Sequence, residues 1–304
     1  MRITTPSSAE LKLYRKAGQI ASTVMKGIRP LVQPGKEIIK ICEEAESKIR
    51  KNGGKPAFPL NVSVNNVAAH YTSPLDDRST IPEKGLVKVD LGVSINGYLV
   101  DTATTIDLSY ERTRLVETAE QALKAAISSI RAGTSVGDVG KTINSIIGRA
   151  ELKPISNLTG HSIARYELHS GTSVPNISMH FTHVMREGEI YAIEPFVTEK
   201  NGKGFVKETR DAYIFSCKVD RSPNDVRDSA DAEVLNKLRR EFDKLPFALR
   251  WLNGDIIDLK GIEKLVKKGN LVSYPVLVEA GNKLVAQAEH TLVVSKSGCE
   301  VLTA

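Results

Sequence analysis

The apolar positions fall into two helical stretches before they change to the alternation of strands. Leu13, Ala17, Ile20, Val24 and Ile28 recur at helical spacing behind Ser7 and Glu10, the Ser-x-x-Glu pattern of a capping box, with Pro6 just ahead of it. Pro34-Gly35 breaks the pattern, and Ile38, Cys42, Ala45 and Ile49 predict a second helix ending near Gly53-Gly54. Strands follow around "VSVNNVAAHY" and over "LVKVDLGVSINGYLVDTATTIDL". In the latter, Asn96-Gly97 lies between two alternating apolar runs. A type I′ turn needs positive φ at both central residues, so this dipeptide predicts a hairpin. Ile95 then faces Tyr98. Val87, Val89, Leu91 and Val93 share one face with Val100, Thr102, Thr104 and Ile106. Asp90 and Asp101 share the other face as diagonal neighbours, ~7–8 Å apart in such a register.

The order helix, glycine break, helix, strand, histidine then recurs. A helix from about Arg112 to Arg131 carries Leu115, Leu123, Ile127 and Ile130; after Gly133 a second carries Val139, Ile143, Ile146 and Ala150. A strand-rich region with a histidine, "RYELHSG", comes next. His169 follows His70 at about the interval, roughly one hundred residues, that separates "SIRAGTSVGDV" from "GIRPLVQPGKEI". This predicts an α+β protein of two similar halves, about 1–108 and 109–216 plus 271–304, with a site between them. Residues 217–270 differ in texture. Val234, Leu238, Phe242 and Leu245 form an amphipathic stripe, and "DIIDLKGIEKLVKKGN" predicts one or two short helices ended by Gly269. We read 217–270 as a helical insertion within a domain of 1–216 and 271–304; its mixed charges favour a packing role over nucleic-acid binding.

Three further polar residues sit in apolar surroundings: His161 after Gly160, Glu194 in "EIYAIEPFV" and Glu289 in "KLVAQAEHTLVV". Carboxylates inside strands are rare unless they are paired or bind a cation. Singly, each has an ordinary explanation as an ion pair or a core residue. Together, Asp90, Asp101, His161, Glu194 and Glu289 have no matched buried basic set, and oxygen donors with one imidazole suit hard or borderline divalent metals. Two ions ~3.5–4 Å apart would relieve the repulsion between the aspartates and activate a shared water.

Composition narrows the setting. The chain has 304 residues, 41% of them hydrophobic, enough for a substantial core. No apolar run approaches the ~20 residues of a membrane-spanning helix, and the N-terminus lacks the apolar stretch of a secretory signal. Three widely spaced cysteines form no disulfide framework, which favours a reducing cytoplasm. The net charge of +6 reads as a mixed surface with excess lysine, without a basic tail or RNA-binding motif.

The order Asp, Asp, Gly-His, Glu-Pro-Phe, Gln-x-Glu-His resembles the methionine aminopeptidases and, more widely, the pita-bread metallopeptidases. "PAFPLNVSVNNVAAHYTSP", "GHSIARYELHSGTSVPN", "YAIEPF" and "AQAEHT", with the insertion between Glu194 and Glu289, resemble the type II branch in its short archaeal-like form. The resemblance covers essentially the whole chain. It implies a pita-bread fold and two divalent ions (Co, Mn, Fe or Zn). Asp90 would hold one ion, Asp101 and Glu289 would bridge both, and His161 and Glu194 would complete the other site. Glu194 would also pass a proton to the leaving amine. His70 and His169 would position the scissile peptide and stabilise the oxyanion. Phe58, Phe196 and Tyr274 would wall the methionine pocket, with Leu168 beside them; His180, His183 and His290 receive no role. The implied function is removal of N-terminal methionine from nascent polypeptides when the second residue is small, by a monomer in the cytoplasm with transient ribosome association. Two rivals share the fold: a binding protein without peptidase activity, and an X-Pro-cleaving enzyme such as prolidase or aminopeptidase P.

Overall fold

The computed structural model describes residues 5–109, 111, 113–180, 183–218, 229–252 and 259–304. Helix α1 (Ser8–Ile28) begins with the predicted capping box: the Ser7 hydroxyl accepts from the Glu10 amide at 3.3 Å, and the Glu10 carboxylate accepts from the Ser7 amide at 2.8 Å. Pro30 and a short 3₁₀ turn close it, and α2 (Ile38–Lys51) follows. The two helices bury Ala17, Ile20, Val24 and Ile28 with Ile38, Cys42, Ala45 and Ile49 in one apolar cluster. After β1 (Lys55–Pro56), β2 (Asn61–Val64) and β3 (Val67–Ala69) comes the hairpin β4 (Leu86–Ile95) and β5 (Tyr98–Asp107). Asn96 and Gly97 have φ of 52° and 85°, and Ile95 faces Tyr98. Gly92 pairs with Asp101 and Asp90 with Ala103, so the aspartates are diagonal neighbours on one face as the turn predicts.

In the second half, α3 (Thr113–Ser129) and α4 (Val136–Arg149) precede β6 (Lys153–Pro154), β7 (Thr159–Ile163), β8 (Ser173–Pro175), β9 (Ile190–Ile193) and β10 (Phe196–Thr198). The fully buried residues of α4 include Val136, Val139, Ile143 and Ile147, and Ile146 of the predicted stripe packs partly buried against the same cluster, whereas Ala150 does not continue it. Four-residue steps keep a side chain on the packed face here, and Ala150 is already the C-cap. The segment "RYELHSG" is also not a strand. It turns back through an Ala164–Glu167 bridge, with Tyr166 at φ 59° stacked on the hairpin tip where Gly97 has no Cβ.

Long strand β11 (Val206–Cys217) lies between β12 (Phe247–Ala248) and β13 (Leu271–Glu279) in a second sheet, and β14 (Val285–Gln287), β15 (Glu289–Val294) and β16 (Cys299–Val301) end the chain. The main sheet runs β1-β4-β5-β15-β9-β7-β8, with β2 also on β4 and β16 also on β15. At its centre β5 pairs with β15, Glu289 opposite Ala103. The order is therefore symmetric about that pair. The hairpin β4–β5 under α1 and α2 matches the pair β9–β15 under α3 and α4, whose apolar residues form a second cluster. In the first half Asn-Gly links the two paired strands; in the second, the chain from Glu194 to Ala288 does so.

Within that link, Cys217 and Leu271 are paired, and between them lie α5 (Ser229–Phe242) and α6 (Leu259–Lys267). Leu235, Leu238, Ile262, Leu265 and Phe247 form a separate small core. Of the predicted α5 stripe, Leu238 is fully buried and Val234 and Phe242 lean on this core, while Leu245 joins the core of the first half. Gly269, at φ 71°, ends α6 as predicted. Arg250 pins this unit to α2. Its guanidinium pairs with Glu46, both side chains under 5% exposed, and donates to Thr72 Oγ1 at 2.7 Å and the Ser73 carbonyl at 2.9 Å. Trp251 Nε1 donates to the same carboxylate at 2.6 Å. Removing one partner of a buried ion pair leaves the other charge stranded. Arg250→Met should therefore cost about 3–5 kcal/mol in denaturant unfolding, far more than Arg15→Met at the exposed Arg15–Glu300 pair.

Candidate metal centre

Each donor is delivered by a different piece of the two strand pairs. Asp90 comes from β4, Asp101 from β5, His161 from β7 and Glu289 from β15, while Glu194 immediately follows β9. Gly160 permits the close pairing of β7 with β9, because a Cβ there would lie 2.4 Å from the Ala192 carbonyl. All five donors line one cavity of about 370 Å³, together with His70, His169, Phe58, Phe196 and Tyr274.

The donors crowd together without satisfying one another. Asp101, His161 and Glu289 each offer an atom within 4.8 Å of the others. His161 Nε2 lies 3.6 Å from Asp101 Oδ2 and 3.4 Å from Glu194 Oε1, too far for good hydrogen bonds. Two donors each ~2.1 Å from one ion at near-tetrahedral angle stand ~3.4 Å apart. Asp90 Oδ1, Asp101 Oδ1 and Glu289 Oε1 are buried without a hydrogen-bond partner among the described residues. Buried acceptors left this way cost free energy, and a divalent cation supplies what they lack.

The electrostatics agree with the geometry. Burial, then the charge of Asp101, pushes the Asp90 carboxyl well above the usual range. Burial raises Asp101 to about 7. Burial and the neighbouring aspartates push Glu194 and Glu289 well up. His161 is lowered to about 4 by burial, so its imidazole is neutral at physiological pH, the form that can ligate a metal. Its contacts with Asp101 and Glu194 are therefore not ion pairs. These residues fit a divalent metal site, with oxygen donors in excess and one neutral imidazole.

A buried base, Lys88, does lie near the carboxylates without matching them. Lys88 is buried on the cavity-facing side of β4, two residues before Asp90. Its ammonium is engaged by the Asn65 and Val285 carbonyls at 2.9 and 2.8 Å, and burial lowers its pKa to about 7. It ties the turn before β3 to β14 and makes no ion pair with the carboxylates.

The remaining predicted residues surround the donors. His70 follows β3 with φ 65°, and its Nδ1 lies 3.2 Å from the Pro275 carbonyl. A carbonyl only accepts, so Nδ1 carries the proton and Nε2 is the free ring nitrogen. Burial lowers the pKa of His70. The His169 ring lies 4.1 Å from that of His161, tilted by 58°, and burial with the neighbouring histidines brings its pKa to about 3. Tyr274 meets His70 edge-on at 5.9 Å and shares a hydrogen bond with Ser216 at 3.0 Å. Leu168 lines the same cavity, whereas His180, His183 and His290 do not.

Sequence reasoning passed over two residues. Gln287 Nε2 donates to Glu289 Oε2 at 3.0 Å and reaches Asp90 Oδ2 at 3.5 Å, orienting both carboxylates; it was visible as the Gln two positions before Glu289 on the same strand face. Asn61, opposite Asp90 in the β2–β4 register, lines the cavity with Oδ1 unpartnered and Nδ2 held by the Pro59 carbonyl at 2.9 Å. Its signal was a lone amide in "FPLNVSV".

A carboxyl raised from 3.8 to about 7 stabilises the metal-free fold fully below its ordinary pKa, and that contribution is lost as pH rises through about 7. Metal binding needs the ionised form. The Tm of chelated protein should therefore fall from pH 5.5 to pH 8, while the increase in Tm on adding Mn²⁺ grows over the same interval. Thermal unfolding with and without the ion checks both signs. Asp101→Ala should remove most of the Mn²⁺-induced increase.

Residues 12–227 match the model of metallopeptidase family M24. A Methanothermobacter thermautotrophicus protein called methionine aminopeptidase is 42% identical over 300 residues, 96% of this chain and 98% of that one. Among solved structures, a thermophilic Arx1 superposes with a TM-score of 0.83 at 19% identity, over 98% of this chain and 91% of that one. The methionine aminopeptidase of Rickettsia prowazekii does so with a TM-score of 0.72 at 20% identity, over 99% and 100%. Family match, near-complete relative and shared pita-bread architecture agree with the donor cluster: the chain belongs to metallopeptidase family M24.

Proposed function

We propose that this chain is a methionine aminopeptidase that cleaves N-terminal methionine from nascent polypeptides with a small second residue. The observation that carries the reading is the convergence of four carboxylates without a basic partner, buried or partly buried, and a neutral histidine in a cavity with an aromatic wall. A fold that merely tolerated these residues would pair them; none is paired with a base among the described residues. The 42% identity to a methionine aminopeptidase extends over 98% of that protein, which favours this reading over an X-Pro enzyme. Retention of the whole donor set favours it over an inactive binding protein. The helical unit between Glu194 and Glu289 supports the type II branch, with 217–270 inserted in a domain of 1–216 and 271–304.

Two divalent ions (Co, Mn, Fe or Zn) would be held by Asp90, Asp101, His161, Glu194 and Glu289, with Asp101 and Glu289 shared. Such ions supply Lewis acidity and a water acidic enough to ionise near neutral pH. Glu194, held well above the usual carboxyl range, suits transfer of a proton to the leaving amine. The two histidines divide the remaining work. His70, with its proton on Nδ1 toward Pro275, offers Nε2 as an acceptor and positions a substrate N–H. His169, neutral by burial, keeps one N–H to donate to the oxyanion. This separates two histidines that the sequence reading treated alike. Phe58, Phe196 and Tyr274 present aromatic surface, which suits a polarizable thioether. Exclusion of water from the cavity strengthens each of these contacts. The substrate partner is a nascent N-terminus; monomeric state, transient ribosome contact and a cytoplasmic setting belong to the same proposal. No helix of the described residues is long and apolar enough to cross a membrane.

Purified protein with Mn²⁺ should hydrolyse Met-Ala-Ser and lose activity to a chelator, with recovery on adding the ion back. His70→Ala and His169→Ala should each lower kcat ~100–1,000-fold, the usual cost of one preorganised group, with metal content unchanged. Hydrolysis of an Ala-Pro dipeptide without hydrolysis of Met-Ala-Ser would instead establish the X-Pro reading.

A further inference from the structure

Gly92 lies in the middle of β4, directly opposite Asp101 and on the same face as Asp90. Its φ is not in the left-handed region, so the backbone there does not require glycine. Glycine inside a strand weakens it, and such a residue marks a bulge or a close approach. Here the register is unbroken through Gly92, which leaves close approach. A Cβ at this position would lie 2.4 Å from Phe58 Cε1, 2.7 Å from its Cδ1 and 2.8 Å from Ala57 Cβ. The Ala57 amide donates to the Gly92 carbonyl at 2.9 Å, which fixes the chain just before Phe58. The Phe58 ring is thus seated on the bare backbone of β4, and its other side lines the cavity.

We propose that Gly92 sets the depth of the side-chain pocket by giving Phe58 its seat, and so determines selectivity for methionine. The inference rests on the aminopeptidase reading above. To reach ordinary contact with a methyl at position 92, the ring has to retreat by about 1 Å. The strand blocks one direction and Ala57 another, so the ring moves into the cavity. The pocket becomes shallower while the metal donors stay in place.

The test compares Met-Ala-Ser with norvalyl-Ala-Ser, whose side chain ends one heavy atom sooner. Gly92→Ala should lower kcat/KM for the methionyl peptide about 10-fold relative to the norvalyl peptide, the scale on which a hydrophobic pocket discriminates one methylene. Metal content should match that of the unaltered protein. The double variant Gly92→Ala/Phe58→Leu should bring the ratio back towards the original value. Phe58→Leu alone provides the second measurement if Gly92→Ala does not fold. It should deepen the pocket and raise kcat/KM for an ethionyl peptide about 10-fold relative to the methionyl one. An unchanged ratio in folded Gly92→Ala, an equal loss for both peptides, or no change of preference in Phe58→Leu overturns the proposal. Failure of the unaltered protein on every methionyl peptide overturns the aminopeptidase reading itself; normal activity with unchanged ratios overturns only the role of Gly92.

Discussion

The carboxylates of the cavity cannot all be ionised there without a cation. Asp101 and Glu289 are buried and Asp90 and Glu194 partly so, and each is pushed above the ordinary carboxyl range by desolvation, three of them also by the charges of their neighbours. Left alone, such groups keep their protons. A divalent ion reverses that preference, so metal binding and proton release are one event in this site. The surrounding structure maintains the mismatch instead of relieving it. Lys88, the nearby buried base, spends its donors on backbone carbonyls, and Gln287 offers a neutral amide that orients two carboxylates without neutralising either.

A fold that holds repelling groups together needs stiff supports, and the two paired-strand units supply them. The donors project from β4, β5, β7 and β15 or directly follow β9, and pairing at the sheet centre brings Asp101 and Glu289 to one face. Helix pairs back both units with separate apolar clusters. Because side chains alternate along a strand, the same pairs that aim carboxylates into the cavity bury valine and leucine behind them. The repulsion is thereby opposed by packing that does not depend on the ions.

Much of this was legible in the chain because the decisive signals are short-ranged. Asn96-Gly97 fixed the hairpin register, and period-two alternation then put Asp90 and Asp101 on one face without any knowledge of the rest. Ser7 and Glu10 likewise announced the start of α1. Other features depend on distant partners. Lys88 looks like an ordinary surface-facing lysine in "LVKVD" until the turn at Asn65 and strand β14 close over it. On α4 the predicted stripe found Ile146, which packs partly buried on the core, but missed the adjacent and fully buried Ile147, because only the packing partner decides how two neighbouring isoleucines divide. The loop carrying His169 was read as a strand because "RYELHS" has strand-like side chains; the positive φ of Tyr166 is set by its seat on Gly97, 69 residues earlier in the sequence.

The link between Glu194 and Glu289 also bears on the site, through geometry that no local pattern carries. Its strands β11 and β13 bring Ile214 and Tyr274 to the cavity wall, and Pro246 enters the same wall from the link between α5 and β12. Arg250, a few residues later, reaches Glu46 on α2 as well as Thr72 and Ser73, just beyond His70. The Pro275 carbonyl on β13 holds His70 Nδ1. Tyr274 in the aromatic wall and the histidine are therefore fixed by the same unit. A shift of this unit would move Tyr274 and the Pro275 carbonyl together, because the two are adjacent on one strand.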